Sequence, residues 1–184
     1  GLEPNPIGIP GGAYEIPLVI QDRQFSPDGK FFYPTSDIEG AIWIGEYFGD
    51  VMLVNGKVWP FLNVEPRMYR FRILNGCNAR ILNLDISGSD FWQIGAEGGL
   101  WDIPVRMRRL VLAPAERADV IVDFSRFAGA RLMMMNHRPP RPVSIRGNPS
   151  SWSGRVSWWP KKPAPIACAS GPTMAWRCGW TRRN

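Results

Sequence analysis

The sequence predicts an all-β fold, a sandwich or barrel with an irregular basic C-terminal tail. Apolar and polar residues alternate in short stretches between residues 14 and 136, and a period of two is typical of strands that bury one face. Turn signals separate these stretches about every 8–12 residues, which is the spacing found in sandwiches and barrels. No helical period persists along the chain. A helical fold is therefore excluded.

The first predicted strands form hairpins. Residues 14–22 are rich in branched side chains, and residues 25–34 contain a Pro-Asp-Gly sequence that favours a tight turn between extended arms. Residues 50–64 contain Asn55-Gly56 between apolar residues, which is the strongest hairpin signal in the chain. We therefore expect an antiparallel pair of strands on either side of this turn.

The later strands alternate more clearly. In residues 68–76 three apolar side chains point to one face and two arginines to the other. Residues 80–88 repeat the pattern with leucine and isoleucine pointing inward. The three methionines near the end of the last strand are expected to alternate between buried and exposed. The remaining strands are predicted at residues 90–99, 105–114, 117–125 and 130–136.

The charge of the chain is divided unevenly. Residues 1–130 contain 12 Lys/Arg and 16 Asp/Glu, a net charge of −4, whereas residues 131–184 contain 10 Lys/Arg and no acidic residue, a net charge of +10. Eight of the eighteen prolines also lie in the second part, and proline interrupts strands and helices. We therefore expect a linker remnant at residues 1–11, one domain at 12–136 and an irregular tail at 137–184.

Two explanations of this tail stay open. It is either a disordered basic extension or the result of a frameshift near residue 135, because a GC-rich gene read out of frame gives an excess of Arg, Pro, Ser, Ala and Trp without acids. Its cations and tryptophans could contact phosphates and stack on bases. Without a folded groove such contacts are weak and salt-sensitive. We therefore expect no specific nucleic-acid partner.

Cysteine usage and hydropathy argue against several classes of protein. Cys77, Cys168 and Cys178 form no C-x-x-C pair, which argues against a zinc ribbon or a thioredoxin-type motif. Cys77 follows a strand pattern and is expected to be a buried thiol. No run of about 18 uncharged apolar residues occurs, so we expect no membrane span. The N-terminus lacks the pattern of a signal peptide, and the location in the cell stays open.

Four segments carry a family resemblance: YEIPLVIQDRQF, VNGKVWPFLNVEPRMYRFRILNGCNARILNLDI, GAEGGL and LAPAERADVIVDF. Together they resemble the second cupredoxin domain of bacterial three-domain multicopper oxidases, near the spore-coat laccases, bilirubin oxidases and phenoxazinone synthase-like enzymes. The likeness covers roughly residues 12–135. It implies a cupredoxin-like Greek-key β-sandwich or barrel.

The resemblance also implies a scaffold role. In that family the first and third domains carry the copper, and the middle domain holds them at the right distance and orientation. No residue of this chain matches a copper ligand of the family, so we expect no cofactor here and copper in the parent enzyme. The parent would oxidise phenolic donors and reduce O₂ to water, often outside the cytoplasm or in the spore coat. Its other cupredoxin domains are the expected partners.

Apart from what the resemblance implies, few residues are candidates for a site. His137, the single histidine, is one imidazole short of the His₂Cys set of a blue copper site, and we expect an exposed side chain that binds metal at most adventitiously. Paired carboxylates can hydrolyse glycosides, and Glu97, Glu116 and Asp119 are the candidates. Glu116 also suits a turn, where it would satisfy backbone groups. A copper-independent hydrolase and a binding module for carbohydrates or phenolics are therefore the alternative functions.

The predicted domain at residues 12–136 is unusually rich in aromatic residues. Some are expected to fill the core, and others would pack against neighbouring domains in a parent oxidase. When they are left uncovered they form apolar patches, so we expect the isolated chain to associate with itself. The residues concerned are Trp43, Tyr47, Phe48, Trp59, Phe61, Phe91, Trp92 and Trp101.

Overall fold

A computed structural model describes residues 8–137, apart from positions 38, 41, 43 and 45, together with the backbone of residues 173–178. A single turn of 3₁₀ helix at Gly12–Tyr14 precedes the first strand. The strands of the described chain, numbered in order, are β1 (Glu15–Phe25), β2 (Phe31–Phe32), β3 (Val51–Val54), β4 (Lys57–Val58), β5 (Phe61–Val64), β6 (Met68–Asn75), β7 (Leu82–Ile86), β8 (Phe91–Ala96), β9 (Gly99–Met107), β10 (Leu110–Leu112), β11 (Arg117–Asp123), β12 (Arg131–Asn136) and β13 (Thr173–Cys178).

The strands form two sheets. The larger has the order β4-β3-β1-β6-β11-β8-β9, with β2 paired to β1, and the smaller has the order β10-β7-β12-β13-β5. β1 runs parallel to β6, and β5 runs parallel to β13. The other pairs are antiparallel. Connections such as β6 to β7 carry the chain from one sheet to the other, and the predicted all-β sandwich is confirmed.

The core lies between the inner faces of the two sheets. In β6, Tyr69, Phe71 and Ile73 are buried while the residues between them point outward, as a period of two predicts. Phe71 and Phe124 meet edge to face, with ring centroids 6.2 Å apart, and Tyr69 meets Phe124 in the same way at 5.8 Å. Such pairs stabilise beyond the area that they bury. β6 is therefore the strand around which the larger sheet packs.

The smaller sheet contributes the facing half of the core. Leu82, Leu84 and Ile86 of β7 are buried, as the sequence predicts. In β12 Met134 is 3% exposed and Met133 is 44% exposed, which confirms the predicted alternation of the methionines.

The hairpin predicted at Asn55-Gly56 is present between β3 and β4. Asn55 has φ 50° and Gly56 has φ 78°, and two positive φ angles are what the tightest hairpin turn requires. The Asn55 side chain also accepts a hydrogen bond from the Val19 amide at 2.8 Å and donates one to the Pro17 carbonyl at 2.9 Å. The turn residue therefore fastens the hairpin to β1.

One predicted strand begins earlier than expected. β9 covers Gly99–Met107, whereas the sequence pattern predicts a strand only from residue 105. Asp102 and Pro104 break the alternation in the first half of β9. Because β9 lies at the edge of the larger sheet, one side of its backbone needs no partner strand, and an edge strand tolerates proline.

One strand lies in the segment for which the sequence predicts no regular structure. β13 pairs antiparallel with β12 and parallel with β5, so neighbouring strands supply its backbone hydrogen bonds on both sides. A short sequence window cannot show such a contribution from distant strands. The expectations for the rest of the tail, including the frameshift, fall on residues 138–172 and 179–184, outside the described residues. The limits of linker, domain and tail stay predictions.

We expect Phe71→Ala to lower the free energy of unfolding by about 3–5 kcal/mol, because it leaves a cavity at a fully buried aromatic contact. Phe61→Ala is the matched control, since Phe61 is 70% exposed, and it should change stability by less than about 0.5 kcal/mol. Urea unfolding followed by fluorescence measures both. Equal losses in the two variants would contradict the assignment of the core to the inner face of β6.

Candidate functional site

Asp119, a candidate catalytic carboxylate, lies on β11 and forms a bidentate pair with Arg70. The Arg70 Nε atom donates to Asp119 Oδ1 at 2.8 Å, and Nη2 binds Oδ2. This hydrogen bond to the carboxylate raises the pKa of Arg70. Glu15 adds a second carboxylate, with Oε2 3.6 Å from Arg70 Nη1. The group is a half-buried ion-pair network on the outer face of the larger sheet.

Glu97 and Glu116 lie at turns beside β11. Glu97 Oε1 accepts a hydrogen bond from the Arg117 backbone N–H at 2.8 Å, and its Oε2 lies 2.6 Å from Arg117 Nη1. Glu116 Oε2 accepts from the Ala113 N–H at 2.6 Å, which is the backbone role that the sequence predicts for it. All three candidate carboxylates thus have structural partners. Their use as acid and base in hydrolysis stays a prediction.

His137 follows the last residue of β12 and is not the exposed side chain that the sequence predicts. Its backbone N–H donates to the Asn83 carbonyl at 2.8 Å, which draws the ring against the outer face of β7. There Nε2 lies 3.2 Å from Asp85 Oδ2, and the side chain is 30% exposed. The distance suits an ion pair with a protonated imidazole, although the alignment is not that of a hydrogen bond.

Asp85, the partner of His137, is a buried carboxylate on β7. It alternates with the core residues of β7, which places it on the outward face, yet it is 5% exposed. Arg108 accounts for part of this burial, because its Nη2 lies 3.1 Å from Asp85 Oδ1 while Nη1 donates to the Ile86 and Ser89 carbonyls. Nothing in the local sequence marks Arg108 as its partner.

These donors do not fit a copper site. A blue copper centre requires two imidazoles and a thiolate, and the chain has one histidine. In the part of the chain that the structure describes, no three His, Cys, Asp or Glu residues lie close enough together to hold a metal ion. Cys77 belongs to a different cluster from His137. The side chains of Cys168 and Cys178 lie outside the described residues.

The cluster that contains Cys77 is built on Asp22, whose side chain is fully buried. Asp22 lies in phase with the core residues of β1, and its Oδ2 accepts from the Gly49 N–H and from Arg80 Nε, both at 2.9 Å. Arg80 Nη2 donates to the Gly49 carbonyl at 2.7 Å. We name these three residues the Asp22 clamp. An inward charge in an apolar alternation is the sequence signal that could have revealed it.

Only glycine fits at position 49 of the clamp, because the backbone there lies directly against the backbone of Arg23. A Cβ atom at position 49 would stand 2.3 Å from the Arg23 nitrogen, which no side chain tolerates. The clamp thereby holds the end of the long connection between β2 and β3 against the larger sheet.

Cys77 is a buried thiol, as predicted, and is 6% exposed. Burial, together with the nearby Asp22 carboxylate, raises the pKa of the Cys77 thiol to about 12. The thiolate is the reactive form of cysteine, so Cys77 stays protonated and unreactive at neutral pH.

The aromatic residues divide between core and surface, as predicted. Phe91 and Tyr47 are buried, at 0% and 3% exposed. Trp43 lies outside the described residues. The exposed members are Phe48, Trp59, Phe61, Trp92 and Trp101. Among the described residues, no helix has the length and apolar character needed to cross a membrane.

Comparison with known proteins identifies the family. A family model described as Multicopper oxidase matches residues 40–148, more than half of the chain. The chain belongs to the multicopper oxidase family. The laccase of Bacillus subtilis (strain 168) is 42% identical over 135 residues, which are 70% of this chain and 26% of the laccase. "Multicopper oxidase LPR1 homolog 3" of Oryza sativa subsp. japonica is 46% identical over 159 residues, or 82% of this chain and 30% of the relative.

Solved structures of multicopper oxidases share the fold. The crystal structure of McoA multicopper oxidase from Aquifex aeolicus superposes with a TM-score of 0.64 at 30% identity, over 94% of this chain and 32% of that one. The predicted cupredoxin-like sandwich is therefore confirmed as a cupredoxin domain of a multicopper oxidase. The chain spans about a quarter to a third of the length of the relatives that it matches.

We expect Asp22→Asn to lower the free energy of unfolding by about 3 kcal/mol, because it leaves the Arg80 guanidinium without its buried counter-ion. Hydrogen exchange at the Gly49 amide should accelerate, since the acceptor on Asp22 loses its charge. Asp28→Asn is the control and should lower the free energy far less, because the Asp28 side chain is 53% exposed and an exposed ion pair such as that with Lys30 contributes little. A stable Asp22→Asn variant with a protected Gly49 amide would refute the role of the clamp.

Alkaline pH should separate the wild type from Cys77→Ala. An unfolded thiol titrates near pH 8.5, whereas the folded one titrates at about 12, so its contribution is complete below pH about 8.5 and is lost as the pH rises toward the folded value. The stability advantage of the wild type over Cys77→Ala should fall by about 1.4 kcal/mol per pH unit in this window. Denaturant unfolding at successive pH values measures it, and a constant difference would show that the thiol is not held protonated.

Proposed function

We propose that this chain is a copper-ligand-free scaffold domain of a laccase-like multicopper oxidase, the middle one of three cupredoxin domains. The observation that carries the proposal is the histidine content, one residue in the whole chain. A blue copper site alone requires two histidines and a cysteine. The His137 ring lies, in addition, beside the Asp85 carboxylate, with Nε2 3.2 Å from Oδ2.

The parent enzyme would oxidise phenolic donors and reduce O₂ to water, and its copper would supply the one-electron chemistry. The residues of this chain would act through position. A close-packed core around Phe71 makes the sandwich rigid, and the Asp22 clamp fixes the connection between β2 and β3. A rigid body of this kind can hold two neighbouring domains at a set separation.

Other cupredoxin domains of the same polypeptide are the proposed partners. The matched relatives are about three to four times longer than the segment they share with this chain. Exposed apolar side chains such as Phe48, Trp59 and Phe61 supply surface for packing against such domains. In the isolated chain these side chains are uncovered, and we infer that it associates with itself.

The alternative functions have less support. Trp92 and Trp101 are 41% and 43% exposed and give a binding module for carbohydrates or phenolics an aromatic surface, whereas no contact favours hydrolysis. Both alternatives stay predictions.

Metal analysis tests the scaffold proposal. After incubation with Cu²⁺ and dialysis against a weak chelator, the purified chain should retain well below one copper per molecule, because it lacks the donor set. It should show no blue absorption band and no oxidation of a phenolic donor above the rate of the denatured protein.

The matched control for metal retention is His137→Gln, which should behave like the wild type. Retention of one or more coppers with a blue band, abolished by His137→Gln, would overturn the proposal.

A further inference from the structure

The turn between β3 and β4 consists of two residues, Asn55 and Gly56, that form a chemically labile pair. Asparagine is a thermally labile residue, and it is most labile before glycine, because glycine has no Cβ atom to obstruct attack by its own backbone nitrogen on the asparagine side chain. Both residues are exposed. Apart from chain neighbours, no described atom lies within 4 Å of the point that a Cβ of Gly56 would occupy. Water therefore has access to the bond between them.

The reaction open to this pair needs only water. The Gly56 nitrogen loses its proton and bonds to Asn55 Cγ, and the bond from Cγ to Nδ2 breaks, so that the side-chain nitrogen leaves as ammonia. The five-membered succinimide that results takes up one water at either of its two carbonyl carbons. The products are an aspartate, or an isoaspartate in which the main chain runs through the side-chain carbons. An amide becomes a carboxylate, and nothing is oxidised or reduced.

The folded chain holds Asn55 in a position that opposes this reaction. Its Oδ1 accepts from the Val19 N–H at 2.8 Å, and its Nδ2 donates to the Pro17 carbonyl at 2.9 Å. Its backbone N–H donates to the Val19 carbonyl at 2.9 Å. Ring closure moves Cγ toward the Gly56 nitrogen and then expels Nδ2, which breaks the contact with Pro17. The bonds to β1 therefore have to be released before Asn55 can react.

The hairpin that carries the turn is short enough to open by itself. β3 and β4 pair over two positions, Leu53 with Val58 and Val54 with Lys57. β4 is also the terminal strand of the larger sheet in the described chain. A two-stranded hairpin is marginally stable in isolation, and such segments open locally far more often than the core unfolds. Asn55 can thus be released while the rest of the sandwich stays folded.

The product cannot restore the contacts of the starting residue. Neither carboxylate product has the N–H that the Pro17 carbonyl accepts, and in the aspartate a negative oxygen would take the place of that donor beside the carbonyl oxygen. The isoaspartate also lengthens the main chain of a two-residue turn, which disturbs the pairing of Val54 with Lys57. The reaction is therefore a one-way release of the turn from β1.

We propose that Asn55 is a deamidation site, that it reacts through opening of the β3–β4 hairpin, and that its modification permanently loosens this hairpin from β1. The geometry supplies each part: an exposed Asn-Gly pair, two side-chain hydrogen bonds that restrain it, and a short edge hairpin that can release it. The inference goes beyond the scaffold function and does not rest on it.

Peptide mapping by mass spectrometry tests the site on the full wild-type chain, kept in mildly alkaline buffer with and without unfolding urea. Deamidation at Asn55 should be at least about tenfold slower in the folded chain than in urea, which is the factor that two hydrogen bonds of ordinary net strength supply. Asn63 is the internal reference, because it is exposed but precedes valine, whose branched side chain obstructs the attack.

Asn63 should react far more slowly than Asn55 in urea. An Asn55 that stays intact in urea, or that reacts no faster there than Asn63, would rule out the site. Equal rates at Asn55 with and without urea would show that the folded chain does not restrain it, which would also overturn the proposal.

Val58→Gly and its matched control Val111→Gly test the role of the hairpin. Each removes an exposed valine from a short strand at the end of a sheet, β4 or β10, and glycine favours strands less than valine does. Deamidation at Asn55 in the folded chain should accelerate about threefold to fivefold in Val58→Gly and keep the wild-type rate in Val111→Gly. In urea both variants should react like the wild type. Equal acceleration in both folded variants, or none in Val58→Gly, would contradict reaction through this hairpin.

Asn55→Asp copies one product and tests its consequence. The amide of residue 55, which donates to the Val19 carbonyl in the wild type, should exchange its hydrogen about fivefold faster in this variant, because one hydrogen bond to β1 is lost. Asn63→Asp makes the same change of charge at an exposed residue of β5 and should leave that exchange unchanged. Equal exchange in wild type and Asn55→Asp would refute the loosening. None of these measurements depends on copper content, which tests the scaffold function separately.

Discussion

The burial of β6 between its neighbours is the constraint on which the rest of the structure depends. β6 pairs with β1 on one side and β11 on the other, and its inward side chains fill the core, where Phe71 meets Phe124 just beyond the end of β11. A period of two leaves no choice of face for Arg70 and Arg72, which must point outward. The ion pairs with Glu15 and Asp119 follow from that placement, so the candidate carboxylate Asp119 is committed to the sheet.

Charged groups at the ends of the sandwich serve the fold in the same way. Asp22 and Asp85 are both buried, and each has a guanidinium within ion-pair distance, from Arg80 and Arg108. Breaking a buried pair leaves an uncompensated charge, which costs far more than the pair contributes. The clamp at Asp22 joins a connecting segment to the sheet, whereas Asp85 draws His137 toward β7. In neither place do the donors form the set that redox chemistry with copper needs.

The proposal that this domain holds no copper in a family of copper enzymes is consistent with division of labour along a longer chain. Family membership follows from the match to the multicopper oxidase model and to relatives such as the Bacillus subtilis laccase. The activity of those enzymes belongs to the whole polypeptide, of which this chain spans about a quarter to a third. In the proposed scaffold function, this domain contributes a rigid core and apolar surface.

The sequence by itself determined the strand class, the hairpin at Asn55-Gly56, the inward face of β6 and the family, because a period of two and a two-residue turn are local properties of the chain. It also determined the shortage of imidazoles. Only the tertiary structure decided that Asp85 is buried, that Arg80 reaches Gly49 across the end of the sheet, and that β13 lies between β12 and β5. These features join residues distant in sequence, and no local pattern encodes which guanidinium meets which carboxylate. The extension of β9 through Pro104 was likewise decided by its place at the edge of the sheet, where one side of the backbone needs no partner.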